Sequence, residues 1–206
     1  MSGYRIRVAG RPEWAVDVAA LVRAAPAGPA GNRMVGVDGF SGAGKSTLAT
    51  ELAGRLGAPL LTLEEITPGW VGLAEAVELA RTGIGDPLAS GRVLRLPTWD
   101  WAAGAPGPVR ELAPEPIVVL EGCGAGAQAL APVTSLLVWV DVPAAERERR
   151  LHARDDWRVY APFRERWREQ EAGLAGIDRR ADVVLDNGGP DARAPAAPST
   201  AGTPLS

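Results

Sequence analysis

Nine consecutive residues constrain this chain more than all the others: Gly39-Phe40-Ser41-Gly42-Ala43-Gly44-Lys45-Ser46-Thr47. They match G-x-x-x-x-G-K-[ST], the pattern of a phosphate-binding loop. Ahead of them Met34 to Asp38 reads as a short buried strand; behind them Lys45 to Leu56 carries apolar residues at helical spacing, at Leu48, Ala49, Leu52, Ala53 and Leu56. The motif therefore stands where its mechanics require, between a strand and a helix. Glycine at 39, 42 and 44 lets the backbone turn so that successive N–H groups point inward at phosphate oxygens. The opening of the helix adds unsatisfied N–H groups and a positive dipole end. The residues expected to hold a nucleotide are Gly39, Ser41, Gly42, Ala43, Gly44, Lys45, Ser46 and Thr47. Lys45 would reach the β and γ phosphates, and the Ser46 hydroxyl would hold Mg²⁺.

The alternative is a glycine-rich turn that only imitates the motif. Lys45 argues against it, being the only lysine in the chain. A composition that otherwise uses arginine keeps lysine where a compact, flexible ammonium is needed.

At 206 residues with net charge −3, the chain suits one α/β domain with some decoration and shows no broad basic face for nucleic acid. One cysteine excludes an internal disulfide and fits a reducing cytosol. Cys123 and His152 stand alone, so no zinc cluster is expected. Neither a signal peptide nor an apolar run of bilayer length is apparent, so a cytoplasmic location without membrane contact is expected.

Pro12 to Ala25 reads as a helix. A second strand is expected over Ala58 to Leu63, ending at Glu64-Glu65, and a helix over Gly72 to Arg81. Arg92 to Pro97 and Val109 to Leu112 fit two arms of a hairpin around Trp99-Asp100-Trp101. The uninterrupted apolar runs Ile117 to Leu120 and Leu136 to Val140 suit central parallel strands. Helices are expected over Ala144 to Arg154 and Phe163 to Leu174, and a last strand over Ala181 to Leu185. Alternating strands and helices predict a parallel sheet with helices on both faces and ligands beyond its carboxyl ends. Asp38, Glu64, Glu121 and Asp141 all fall at such ends.

The loop alone does not choose among nucleotide proteins. A GTPase needs a base-recognising Asn-Lys-x-Asp, which a chain with this single lysine lacks. Arginines recurring at Arg147, Arg150 and Arg154 after the fourth strand suit phosphoryl transfer, because they can close over spread negative charge. Much of the run from Arg147 to Arg168, interleaved with acids, reads as a solvated helix face.

Val37-Asp38-Gly39 through Thr47, followed by the acidic pair, resembles the uridine kinase/phosphoribulokinase group of P-loop kinases. Trp99-Asp100-Trp101 resembles that family's Tyr-Asp-Phe segment, Val119-Leu120-Glu121-Gly122 its strand ending in Glu-Gly, and Arg147, Arg150, Arg154 and Asp155 its lid pattern. The resemblance runs from about residue 33 to 187 and is closest to an actinobacterial-type uridine kinase-like subgroup of ATP-binding proteins, where Pro68-Gly69-Trp70 is typical. It implies an α/β P-loop NTPase fold of nucleoside/nucleotide-kinase type with a small lid. The domain would cover 31–187, with a strand/helix extension and linker over 1–30 and a disordered Pro/Ala-rich tail over 188–206.

It further implies an ATP- and Mg²⁺-dependent transfer of the γ-phosphoryl to a hydroxyl of a small nucleoside-like acceptor, uridine or cytidine first. Glu64 falls on the family's base; Ser46 and Glu121, with Glu64, are the metal candidates. Arg150 and Arg154 would clamp phosphates. Thr67, Trp70, Trp99, Asp100, Trp101 and Arg147 would face the acceptor. Two positions depart from the pattern: the base is Glu rather than Asp, and Thr67 stands where the family has an aromatic. The acceptor therefore stays open, as do the choice between Glu64 and Glu65, ATP against GTP, and the oligomeric state. A kinase for another metabolite (a sugar, nucleoside monophosphate or vitamin precursor) and a non-catalytic or slowly hydrolysing ATP-binding regulator are the alternatives.

Overall fold

The computed structural model describes residues 4–9 and 11–189, so all but the first two residues of the tail expected over 188–206 lie outside the described residues. The chain opens with strand β1 (Tyr4–Arg7) and helix α1 (Trp14–Ala24). α1 stops because Pro26 forces Ala25 out of helical geometry, into φ −64°, ψ 151°. Strand β2 (Arg33–Asp38) leads through the glycine-rich loop into α2 (Lys45–Leu56), as its periodicity requires. α2 ends on left-handed Gly57, whose N–H returns to the Ala53 carbonyl.

The second strand is shorter than its apolar run. β3 covers only Leu60–Thr62, and the chain then turns into a helical segment, α3 (Leu63–Ile66). Glu64 and Glu65 thus sit on a helical turn, not at a strand's tip. α4 (Leu73–Ala80) runs through a π-helical turn (Arg81–Gly85) into α5 (Asp86–Ala89), well past the expected stop at Arg81. Pro87, which has no N–H to donate, follows directly on the π-turn, where the regular i→i−4 ladder is already interrupted. β4 (Leu94–Asp100) and β5 (Ala105–Leu112) form the hairpin; it is longer than expected, so Trp99 and Asp100 lie within a strand.

β6 (Ile117–Glu121) and β7 (Thr134–Asp141) follow, then the lid segment of α6 (Ala144–His152), α7 (Trp157–Tyr160) and α8 (Arg164–Ala172), and last β8 (Val183–Asp186). The sheet has the order β1-β8-β7-β2-β6-β3, every pair parallel, with the β4-β5 hairpin separate. β2 stands between β6 and β7, with Val35 opposite both Val119 and Leu136.

Alternation along these strands feeds two cores. Val35, Val37, Val119 and Val138 pack with Trp14, Val18 and Val22 of α1 and Leu48 and Leu52 of α2. On the other face Met34, Val118 and Leu120 pack with Ile66, Ile84, Leu88 and the hairpin's Leu94 and Leu96. Both faces are covered, which explains why these strands read as continuous apolar runs. Locking β2 between two strands and two layers fixes the origin of the loop that leaves its carboxyl end.

Candidate active site

Gly42 and Gly44 adopt φ of 80° and 88°, in the left-handed region. A Cβ at Gly42 would lie 2.6 Å from the Arg147 carbonyl oxygen, and one at Gly44 2.7 Å from Asn187 Nδ2. Curvature and close approach both demand glycine there. Gly44 caps α2, and by helix geometry the first N–H groups of α2 have no partner within the helix. Gly44, Lys45, Ser46 and Thr47 line a cavity of about 330 Å³, so those donors open into it.

Beneath the loop, Asp38 is buried; its carboxylate accepts the N–H groups of Gly39 (2.6 Å), Gly124 (3.1 Å) and Gly126 (2.9 Å). Burial raises its pKa, opposed by those amides and by Lys45. Asp38 therefore ties β2 to the turn after β6. The Lys45 ammonium folds over the loop, donating to the Phe40 carbonyl at 3.3 Å with Cys123 Sγ at 3.4 Å. Burial alone would depress it, but the Cys123 sulfur at its side and the carboxylates of Asp38, Glu121 and Glu171 hold it above its ordinary value. It is a secured cation beside the glycine-rich loop.

Ser46 Oγ donates to Glu121 Oε1 at 3.3 Å. Glu121 is buried, and burial pushes its carboxyl up, with Lys45 pulling the other way. These two oxygen donors beside the loop fit Mg²⁺, a hard cation that takes one or two protein oxygens and completes its shell with phosphate and water. Among the described residues no group of three or more His, Cys, Asp or Glu could hold a metal by itself.

The same cavity extends from the loop past Glu64, Thr67, Trp70, Leu73 and Trp101 to Tyr160 and Trp167. Trp70 is the hub of its far wall: it stacks on Phe163 (centroids 4.8 Å, 5°) and meets Trp101 edge-on at 4.8 Å. The Trp101 indole N–H donates to the Glu64 carbonyl at 3.0 Å, and the Thr67 hydroxyl to the Leu63 carbonyl at 2.7 Å. Both contacts brace α3 and leave the Glu64 carboxylate toward the cavity. Glu65 lies outside the lining, paired with Arg110 of β5 at 2.7 Å.

Arg150 and Arg154 also line the cavity. Arg150 is held by Glu146 (2.8 Å) and the Asn187 carbonyl (2.8 Å), while Arg154 pairs with Asp156 at 2.6 Å. Three expected acceptor residues are not in this lining. Arg147 lies on the loop's outer side, over the Phe40 ring at 4.9 Å, where it lines a second cavity. Trp99 approaches Gly69, and Asp100 closes the hairpin turn by accepting from the Ala102 and Ala103 N–H groups at 2.9 Å. Asp141 ends β7, the neighbour of β2, but lies outside the cavity lining, bound to Arg5 of the edge strand β1 at 3.0 Å, so the four acidic residues do not converge. Conversely, Asn187 (Nδ2 to the Ala43 carbonyl, 2.8 Å), Cys123, Trp167 and Glu171 all touch the loop and had no sequence pattern to mark them.

No family model matches the chain, and no curated protein matches it. Solved structures do. A possible uridine kinase from Bacillus stearothermophilus superposes with a TM-score of 0.60 at 20% identity, over 84% of this chain and 97% of its own. A candidate fructose transport system kinase from Silicibacter sp. TM1040 gives 0.56 at 21%, over 84% and 98%. The fold is that of a P-loop NTPase. Among the described residues no helix is long and apolar enough to cross a membrane.

Proposed function

We propose that this chain is a small-molecule kinase that moves the γ-phosphoryl of ATP, with Mg²⁺, to a hydroxyl of a nucleoside-like acceptor, with uridine or cytidine first. One observation carries the reading: the phosphate loop and the Glu64 carboxylate line one continuous cavity whose far wall is aromatic. A carboxylate alone would equally suit an ATPase that activates water; the aromatic wall beside it is what favours an organic acceptor. The two solved structures named above, both called kinases, support the same class.

In this reading the loop amides and Lys45 fix the β and γ phosphates, and Ser46 and Glu121 hold the metal, which neutralises charge that develops on the phosphate oxygens. Glu64 takes the proton of the acceptor hydroxyl, whose oxygen then bonds to the γ phosphorus as the bond to ADP breaks. Arg150 and Arg154 bring positive charge from α6 and the turn after it, and closure of that segment excludes water. Trp70 and Trp101 offer faces and edges for a planar or sugar-like body.

ADP release measured across nucleosides, nucleotides and sugars tests this. Acceptor-dependent release identifies the kinase and its substrate. Release independent of acceptor, or none, favours an ATP-binding regulator instead. Glu64→Gln is expected to lower turnover by about 10²- to 10⁴-fold while MgATP still binds; normal turnover in that variant removes Glu64 as the base.

A further inference from the structure

Helix α8 carries Trp167, Gln170 and Glu171 at i, i+3 and i+4, hence on one face. That face holds both ends of the cavity at once. Glu171 keeps only 5% of its surface exposed, and its Oε1 accepts from the Ser41 N–H (2.7 Å), the Ser41 hydroxyl (2.7 Å) and the Cys123 thiol (3.1 Å). Trp167 Nε1 donates to the same Ser41 hydroxyl at 3.1 Å. One residue earlier, Gln170 faces the other way along the cavity: its Nε2 donates to the Trp70 carbonyl at 2.9 Å, and its Oε1 accepts the Leu73 N–H at 3.1 Å. The Trp167 ring meets Trp70 nearly at right angles, 6.3 Å between centroids.

A buried carboxylate is costly unless several donors satisfy it, and one beside an anion-binding loop also repels the ligand the loop is shaped for. Its hydrogen bonds must therefore do something an apolar side chain could not. They fix the orientation of the Ser41 peptide, next to Gly42, where a Cβ would lie 2.6 Å from the Arg147 carbonyl oxygen.

We propose that Glu171 is a positioning residue. Through it α8 holds the phosphate loop and the Trp70 wall in one register, so that filling the loop with phosphate is felt at the acceptor end. This rests on the nucleotide reading above, and the test separates the two.

MgATP is titrated into the full chain, with calorimetry for affinity and tryptophan emission, the share of the Trp70–Trp167 pair among the seven tryptophans being taken as the difference from Trp70→Phe. Wild type and Glu171→Gln, which keeps an oxygen acceptor in place without the charge, are expected to agree within about threefold in Kd and to share an emission change. Glu171→Ala is expected to bind about tenfold more weakly and to lose the emission change even at saturation. An alanine variant equal to wild type in both readouts overturns the proposal. So does a glutamine variant that behaves like alanine, because the charge and not the oxygen acceptor would then be at work. Should Glu171→Ala fail to fold, Glu171→Met, which fills the site without an oxygen acceptor, replaces it: a reduced emission change supports the proposal and an unaltered one overturns it. If wild type itself takes up no MgATP, the phosphate-loop reading falls and the proposal with it. Uptake without differences among the variants removes only the role of Glu171.

Discussion

The two ends of this cavity are made of different material. The loop end is main chain: consecutive amides between β2 and α2, curved by glycine, with the Lys45 ammonium folded over them. The other end, where the proposed acceptor would sit, is side chain: Glu64 and Trp70 from the region after β3, Trp101 from the hairpin tip and Tyr160 from α7, with Trp167 of α8 bridging it to Ser41 of the loop. A main-chain site needs only local sequence and one fixed strand end. A side-chain site needs segments far apart in the chain to meet, and each can be replaced singly. Chemistry should therefore be concentrated at the first end and specificity dispersed over the second.

The largest expected effect concerns how dry the loop end is. Cys123 lies against Lys45 and Glu171, and burial pushes its thiol up to about 12 although Lys45 pulls it down. At pH 8 the thiolate population is then on the order of a thousandfold below that of a free cysteine, and alkylation by iodoacetamide should slow in proportion. Mass spectrometry of native against urea-unfolded protein reads this directly. Rapid native labelling would mean the loop end is wet and the contrast with the acceptor end is weaker than drawn. Next comes Lys45→Ala. Losing the ammonium at the anion site is expected to lower ATP turnover by about 10²- to 10³-fold, measured as ADP release at saturating acceptor. Unchanged kinetics would break the assignment of the donor end outright.

At the acceptor end Trp70→Ala should divide its effect. Trp70 packs on Trp101, Tyr160, Phe163 and Trp167 but is only half-buried, so its loss is expected to cost about 2–3 kcal/mol in urea unfolding. Acceptor KM should rise while the MgATP Kd is nearly retained. A variant that loses both affinities together would show the two ends to be one rigid unit, coupled more widely than through Glu171.

The sequence makes the first end legible and the second only partly so, for the same reason. β2, α2 and β6 run as their patterns demand, because a strand covered on both faces and a helix closed by Gly57 leave little choice. The second strand loses its last residue to α3, where Leu63-Glu64-Glu65 are good helix formers and the pairing with β6 has run out at Thr62. Gly83, Gly85 and Pro87 look like breakers, yet the chain stays helical through a π-turn because Gly83 gives the hairpin room: a Cβ there would lie 2.4 Å from the Arg95 carbonyl oxygen. Glu171 sits at the end of an arginine- and glutamate-rich helix that reads as a solvated face. What buries it is Ser41, 130 residues away in the chain, and no local pattern records such a partner.

The smallest expected effect tests the border of the acceptor end. The resemblance places Asp100 on the acceptor's hydroxyls, whereas its carboxylate here closes the β4-β5 turn through the Ala102 and Ala103 amides. Removing such a local cap costs about 1 kcal/mol, so Asp100→Ala should lower the unfolding midpoint slightly, and Asp100→Asn, which keeps Oδ1, should restore it. Acceptor KM should move by no more than about twofold in either variant, since a residue outside the cavity contributes no binding energy. A tenfold rise in KM for both, with stability recovered in Asp100→Asn, would mean that the carboxylate's charge reaches the acceptor. The hairpin tip would then have to swing over the Trp101 edge during binding, and the acceptor end would owe part of its specificity to a strand that stands apart from the main sheet.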